Sequence, residues 1–395
     1  MRIRIFREVD LPDPVQLARF ESRPDLGPSL LFFSGGTALK SFAQKLIHYT
    51  HNSIHIITPF DSGGSSAEIR KAFGMLAVGD IRNRLMALAD QSLHGYPEIY
   101  ELFAYRMSKT KAQEKLVQEL THMSAGKHPL VAAIRAPMRK IIRNHLLDFR
   151  ERMPEDFDLR GASIGNLVLT GGFLAYRRHI DPVIYIFSKL VQARGVVRPT
   201  VNSNLHMAAT LENGRRIVGQ HNLTGKEVAP IDAPLASFEL VKSLEDPAPA
   251  QVEIRSKMRK LIRQADLVVY PIGSFYSSLI ANFLPRGVGR AVAGNPCPKV
   301  YVPNTAKDPE AVGLNVNDQI KLILQHLQAD APGEIQPGDL LNFVLLDEDL
   351  DLYPGLDLAA MERMGVRPLC CKLMEPASRP FIQSEKLAQV LLSLS

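Results

Sequence analysis

Residues 29–37 read Ser29-Leu-Leu-Phe-Phe-Ser34-Gly35-Gly36-Thr37. A strand with one wet face alternates apolar and polar residues, so this unbroken apolar run predicts a strand buried on both faces. After the Gly-Gly-Thr break, Leu39, Phe42, Ala43, Leu46 and Ile47 recur at helical spacing and predict a helix over 38–49. The pattern then repeats. Ser53-Ile-His-Ile-Ile-Thr58 reads as a second buried strand, Pro59 ends it, Phe60-Asp-Ser-Gly-Gly-Ser-Ser66 is a loop, and a helix begins at Ala67. Strand–helix–strand–helix order predicts a parallel sheet with right-handed crossovers.

The same signals return late in the chain. Ala265–Tyr270 is a buried strand, and Pro271-Ile-Gly-Ser-Phe-Tyr-Ser-Ser278 a loop opening a helix. Lys299–Val302 and Leu341–Leu346 read as strands, with a helix at Val316–Gln328 between them. Both ends therefore belong to one composite α/β unit spanning 1–395. Between them, 83–160 shows only helical periods and reads as a helical insertion; its last helix, Met138–Arg152, carries a solvated cationic face. Val196–Val201 is a further strand. Residues 203–235 read as a β-hairpin excursion turning at Glu212-Asn213-Gly214. The first 28 residues read as a short strand and a Pro-containing connection.

Composition narrows the classes. Hydrophobic residues make up 46% of the 395 and charged residues 22%, an ordinary globular balance. The net charge of +6 suits one anionic ligand but is too dilute for nucleic acid. No apolar run approaches the roughly 20 residues of a membrane span, and the charged N-terminus is no signal peptide. Cys297, Cys370 and Cys371 build no disulfide framework and no zinc spacing, which predicts reduced thiols and a cytoplasmic protein.

Four Gly/Ser-rich segments carry the chemistry: Ser34-Gly-Gly-Thr-Ala-Leu39, Asp61-Ser-Gly-Gly-Ser-Ser66, Ser163-Ile-Gly-Asn-Leu167 and Ile272-Gly-Ser-Phe-Tyr-Ser-Ser278. Glycine lets backbone approach a ligand, and the first N–H groups of a helix are unpaired and partly positive. In doubly wound folds such turns gather at the carboxyl ends of the strands, where a phosphate-rich ligand binds. The expected binding set is Gly35, Gly36, Thr37, Ser62, Gly63, Gly64, Ser65, Ser66, Ser163, Gly165, Asn166, Gly273, Ser274, Tyr276 and Ser277. Arg70 is expected to grip a phosphate bidentately. Asp61 holds Mg²⁺ or takes a hydroxyl proton, or else closes an Asx-turn or caps a helix. Asp80 and Arg82 read as an ion pair or helix start, and Asp347-Glu-Asp-Leu-Asp351 as a solvated loop.

Other signatures fail. No Gly-x-Gly-x-x-Gly follows the first strand, and no Gly-x-Ser-x-Gly elbow exists. Gly219-Gln-His-Asn-Leu-Thr-Gly225-Lys226 has one residue too many between its glycines for a P-loop, and Glu227 stands where Ser or Thr is needed. His48/His51 and His122/His128 lack metal-binding spacing and read as surface residues.

Taken in order, the first, second and fourth Gly/Ser segments, Gly79-Asp-Ile-Arg82, Ser163–Leu167, Arg198-Pro-Thr-Val201 and Ile217-Val-Gly219 resemble the 2-phospho-L-lactate transferase family, the CofD/YvcK-like proteins, over roughly residues 29 to 315. The resemblance implies a Rossmann-like three-layer α/β/α core with a mainly parallel sheet and a helical insertion. One branch transfers a phosphorylated three-carbon acid from a guanylylated donor to a deazaflavin hydroxyl with Mg²⁺; another binds nucleotide sugars and regulates metabolism. Carried over by position, Gly35-Gly36-Thr37 cradles phosphate, Asp61 holds the metal or the acceptor hydroxyl, and Ser163, Asn166 and the Gly273–Ser277 loop line the cleft. Departures are Ala38 and Ala67 where the family has Gly, Tyr270-Pro-Ile-Gly-Ser274 for Gly-Pro-Gly-Ser, and Asn304-Thr-Ala-Lys-Asp-Pro309 for Asn-x-Met-Thr-Gln. The expected function is a Mg²⁺-dependent transferase with a nucleotide-activated donor, the alternative a non-catalytic nucleotide or nucleotide-sugar sensor. The expected partner is a nucleotide-containing small molecule, with a homodimer allowed.

Overall fold

A computed structural model describes residues 8–92, 95–225 and 228–395. The short strand expected at the extreme N-terminus lies outside them. The connection expected after it contains a helix, Pro14–Ser22, whose first two free N–H groups are capped by Asp13. Ten strands follow in chain order: β1 (Leu30–Ser34), β2 (Ile54–Ile57), β3 (Val196–Pro199), β4 (His206–Leu211), β5 (Arg216–Val218), β6 (Leu235–Val241), β7 (Leu267–Tyr270), β8 (Lys299–Tyr301), β9 (Phe343–Asp347) and β10 (Arg367–Cys371).

Seven of them form one sheet in the order β10-β9-β8-β7-β1-β2-β3, every pair parallel. This is the α/β fold expected from the sequence. β1 lies inside it, with Leu31 opposite Ile54 of β2 and Val268 of β7. Each residue of β1 is buried. Leu31 and Phe33 pack with Tyr270 and Phe283 on one face, while Leu30 and Phe32 pack with Phe42 and Leu46 on the other. Full burial of each such side chain stabilises by about 1.5–3 kcal/mol, which is why the run has no polar alternation. From β1 the chain winds to β2 and β3 on one side, and later returns to β7 on the other. The carboxyl ends of β1 and β7 therefore part at a topological switch point.

The helical layer is larger than 83–160. It begins at Gly79–Ala87, runs through Pro97–Ala104, Gln113–Ser124 and Met138–Arg152, and continues with Ile164–Ala175 and Ile180–Leu190 before β3. Residues 164–173 are buried on every side, so they show no amphipathic period to read. The excursion is likewise more than a hairpin. β4 and β5 pair antiparallel across the expected turn, but β6 pairs with the other edge of β4 and carries the excursion to Val241. Among the described residues no helix is long and apolar enough to cross a membrane.

Candidate functional site

A cleft of about 660 Å³ opens at the switch point. Its walls come from the turn after β1 (Ser34 to Leu39), Asp61, Gly63 and Gly64 after β2, and Ile272, Gly273, Ser274 and Ser278 after β7. Asp80, Asn83 and Arg106 of the helical layer close one side, and Gln220, His221 and Thr224 of the β excursion another.

The first turn is shaped by close contact. A Cβ on Gly36 would lie 2.1 Å from Asp80 Oδ1 and 2.8 Å from Asp80 Cα, so only glycine fits there. Beneath the turn lies Arg84, completely buried. Its guanidinium donates to Leu39 O at 2.7 Å and to Gly35 O at 3.0 Å. Burial pulls its pKa down to about 10, and nearby Asp80 opposes that fall. Ser34, at the end of β1, is buried with its hydroxyl oxygen unpartnered at the cleft wall.

The second turn carries Asp61. Its Oδ1 accepts the Gly63 N–H at 3.0 Å, an Asx-turn, and its side chain also borders the cleft. Gly64 follows at φ +51°, a conformation that favours glycine, and starts the helix Gly64–Phe73 with its amino end toward the cleft. Ser62 points away and holds His221. Its Oγ accepts the His221 backbone N–H at 3.3 Å and contacts Nδ1 at 2.8 Å.

Arg70 does not reach the cleft, contrary to the sequence expectation. Its guanidinium donates to Phe60 O at 3.0 Å, Asp61 O at 2.9 Å, Asn204 Oδ1 at 2.8 Å and Leu205 O at 2.5 Å, and meets His206 Nε2 at 2.9 Å. It is a buried strut that ties the Asp61 turn to the β excursion, with its pKa lowered to about 10 by burial. His206 accepts from it and is therefore neutral at Nε2; burial first, then Arg70, hold its pKa down to about 4.

The other expected residues divide. Gly35, Gly36, Thr37, Asp61, Gly63, Gly64, Gly273 and Ser274 border the cleft. Ser163 is fully buried and accepts from Arg82, whose pKa burial pulls to about 10. Gly165 packs under Arg82. Asn166 donates to Ser65 Oγ at 3.3 Å, with its own Oδ1 unpartnered, and Ser66 packs against Gly79. These four form a layer behind the cleft. Tyr276 sits in the core beside Phe238, its pKa pushed up to about 12 by burial. Ser277 donates through N–H and Oγ to Glu310 at 2.7 Å and 2.5 Å. The Phe275 N–H goes to Asp308 at 2.7 Å, and that of Gly273 to Asn304 at 2.9 Å. Three backbone donors of the fourth Gly/Ser segment are thus engaged by the chain's own Asn304, Asp308 and Glu310. Asp347, expected in a solvated loop, is buried and accepts the N–H groups of Asp349, Leu373 and Met374.

Sequence reasoning missed the contribution of 220–224. The segment is part of the stretch set aside for failing the P-loop spacing; Lys226 and Glu227 of that stretch lie outside the described residues. Ser34 and Ser278 stood at the edges of the quoted segments. Asn83 and Arg106 give no local signal, because only tertiary packing brings them to the cleft. Two carboxylates, Asp61 and Asp80, among Gly turns and hydroxyls form an oxygen donor set suited to Mg²⁺, which typically binds one or two carboxylates plus phosphate oxygens. Among the described residues no group of three or more His, Cys, Asp and Glu forms a self-sufficient metal cage.

The family described as 2-phospho-L-lactate transferase CofD matches residues 30–353. The chain belongs to the CofD family. Within it, the chain is 29% identical over 379 residues to a putative gluconeogenesis factor of Nostoc, covering 93% of this chain and 68% of that protein. It is 26% identical over 309 residues to the gluconeogenesis factor of Bacillus subtilis, covering 76% and 75%. The crystal structure of a UPF0052-family protein from Bacillus halodurans shares the fold, with a TM-score of 0.65 at 20% identity over 92% of this chain and 99% of that one. The Nostoc and Bacillus subtilis relatives both carry the name gluconeogenesis factor.

Proposed function

We propose that the switch-point cleft binds a nucleoside diphosphate-type ligand together with Mg²⁺, and that the chain is a cytoplasmic regulatory protein, as the name gluconeogenesis factor implies for its relatives. The observation that carries this is the seating of Asp80 against Gly36, with Asp61 on the same cleft. A carboxylate at a phosphate turn repels an anion unless a cation lies between them. Asp61 and Asp80 would hold that cation, which would neutralise the phosphates. The amino end of the Gly64–Phe73 helix would then supply positive potential, Ser34 Oγ a hydrogen bond and Arg106 charge to the phosphate oxygens.

A second reading, CofD-type group transfer, is favoured by there being two carboxylates on the cleft, one to hold the cation and one to take a proton. An acceptor hydroxyl oxygen would bond to the phosphorus distal to the nucleoside. The bridging P–O bond would break with its electron pair leaving on a nucleoside monophosphate, and the hydroxyl proton would pass to the carboxylate.

Thermal unfolding with Mg²⁺ and nucleoside diphosphates or nucleotide sugars tests the binding. A ligand at a hundredfold excess over Kd stabilises by about 2.7 kcal/mol. Asp61→Asn and Asp80→Asn should remove the Mg²⁺-dependent part. No stabilisation of the parent protein at millimolar ligand refutes the reading. Release of nucleoside monophosphate that disappears in Asp61→Asn would establish transfer over regulation.

A further inference from the structure

A second chamber, about 470 Å³, adjoins the cleft and shares Ala38, Ile272, Gly273 and Ser274 with it. Its far wall is residues 304–309 and a C-terminal turn carrying Phe381, which lies beyond the residues the family matches. Phe381 is 65% exposed, the only exposed phenylalanine among the described residues. The turn beneath it is firmly tied. Thr305 Oγ1 donates to Pro380 O at 2.6 Å, Arg379 pairs with Asp349 at 2.8 Å, and the Phe381 and Gln383 N–H groups bond to Ser378 O and Leu373 O. An aromatic ring left in solvent on a tied turn lines a chamber continuous with the cleft. We infer that this chamber is a base subsite in which Phe381 stacks on the nucleobase of the ligand whose phosphates occupy the cleft.

The chemistry agrees. The chamber is lined more by apolar than by polar surface, with Ile272, Ala306, Pro309 and Ile382 as walls for a planar group. Ser41 and Ser384 offer hydroxyls to a base edge, and Lys307 stands at the rim. Its volume falls in the range of small-molecule pockets and leaves room for a nucleoside. Stacking on one aromatic side chain tolerates every base, because each presents a π-face.

This inference rests on the proposed nucleotide cleft, and the test separates the two. Binding of adenosine, guanosine and uridine diphosphates with Mg²⁺, and of magnesium pyrophosphate, is measured on the full chain with Phe381→Ala and Phe381→Trp. Phe381→Ala should weaken the nucleotides by roughly five- to a hundredfold and leave pyrophosphate unchanged. The chain contains no tryptophan, so Phe381→Trp creates a single reporter. Its fluorescence should change with nucleotide and not with pyrophosphate, at near-parental affinity. Unchanged nucleotide affinity in Phe381→Ala, with binding still lost in Asp61→Asn, overturns the base subsite and leaves the cleft reading standing. Failure of the parent chain to bind either class overturns both.

Discussion

Arg84 is the residue on which the first glycine turn rests, and replacing it with Met separates shape from hydrogen bonding. Methionine fills much of the same volume but donates nothing. Leu39 O and Gly35 O, which now accept at 2.7 Å and 3.0 Å, would lose their partner in a site with no exposure at all. Each orphaned buried acceptor costs about 1–3 kcal/mol. Relief of a buried charge offsets part of that, and Asp80 loses a neighbouring positive group. Removal of one member of a buried charged arrangement typically destabilises by about 3–5 kcal/mol, and we expect about 3 kcal/mol here. Against the 5–15 kcal/mol typical of a folded domain, this is a large fraction. Urea titration followed by circular dichroism measures it. Arg84→Lys should recover part of the loss, because an ammonium keeps the charge but not the two-pronged geometry. A loss below about 1 kcal/mol would refute the strut argument, since two buried carbonyls then need no donor. Lowered stability with unchanged Mg²⁺-nucleotide affinity would sever the link between the strut and the cleft.

Two further outcomes follow from the same geometry. Gly36→Ala forces Asp80 aside and should cost about 1–3 kcal/mol together with the Mg²⁺-dependent ligand response, while Gly64→Ala meets open space and should show only backbone strain of about 1–2 kcal/mol; thermal unfolding with and without ligand distinguishes them. The folded pKa of His206, about 4, lies below its unfolded value near 6.5, so the native state refuses a proton that the unfolded chain accepts. Its stability contribution is complete above pH 6.5 and is lost as pH falls toward 4, by up to about 3 kcal/mol; His206→Gln should flatten that part of the pH profile of the urea midpoint, and an unchanged slope would show that His206 does not carry it.

What the sequence revealed follows the locality of each signal. β1 and β7 are continuous apolar runs and β2 is interrupted only by His55; Gly or Pro follows each, and their buried state needs no knowledge of distant residues. β10 escaped because Pro368 sits within it, and proline demotes a strand unless it lies at a sheet edge, as β10 does. The cleft was legible where glycine, hydroxyl and carboxylate stand together, as in 34–37 and 61–64. It was not legible where the deciding contact spans the fold. Arg70 looks like any cation one helical turn from a phosphate loop. Only the folded chain brings Asn204, Leu205 and His206 to its guanidinium, and Asp308 and Glu310 to the N–H groups of 275 and 277.

That last contact has a geometric consequence. The two ends of the cleft carry similar glycine-rich sequences but opposite polarity. At Gly63-Gly64 the amino end of a ten-residue helix meets the cavity beside Asp61, whereas at Gly273–Ser277 no such helix begins and the N–H groups of Gly273, Phe275 and Ser277 go to Asn304, Asp308 and Glu310. A molecule with an anionic head and a neutral tail therefore fits in one direction only, head toward β2 and tail toward β8. For the ligand proposed above, the β1–β7 boundary would act as a compass, set before anything binds.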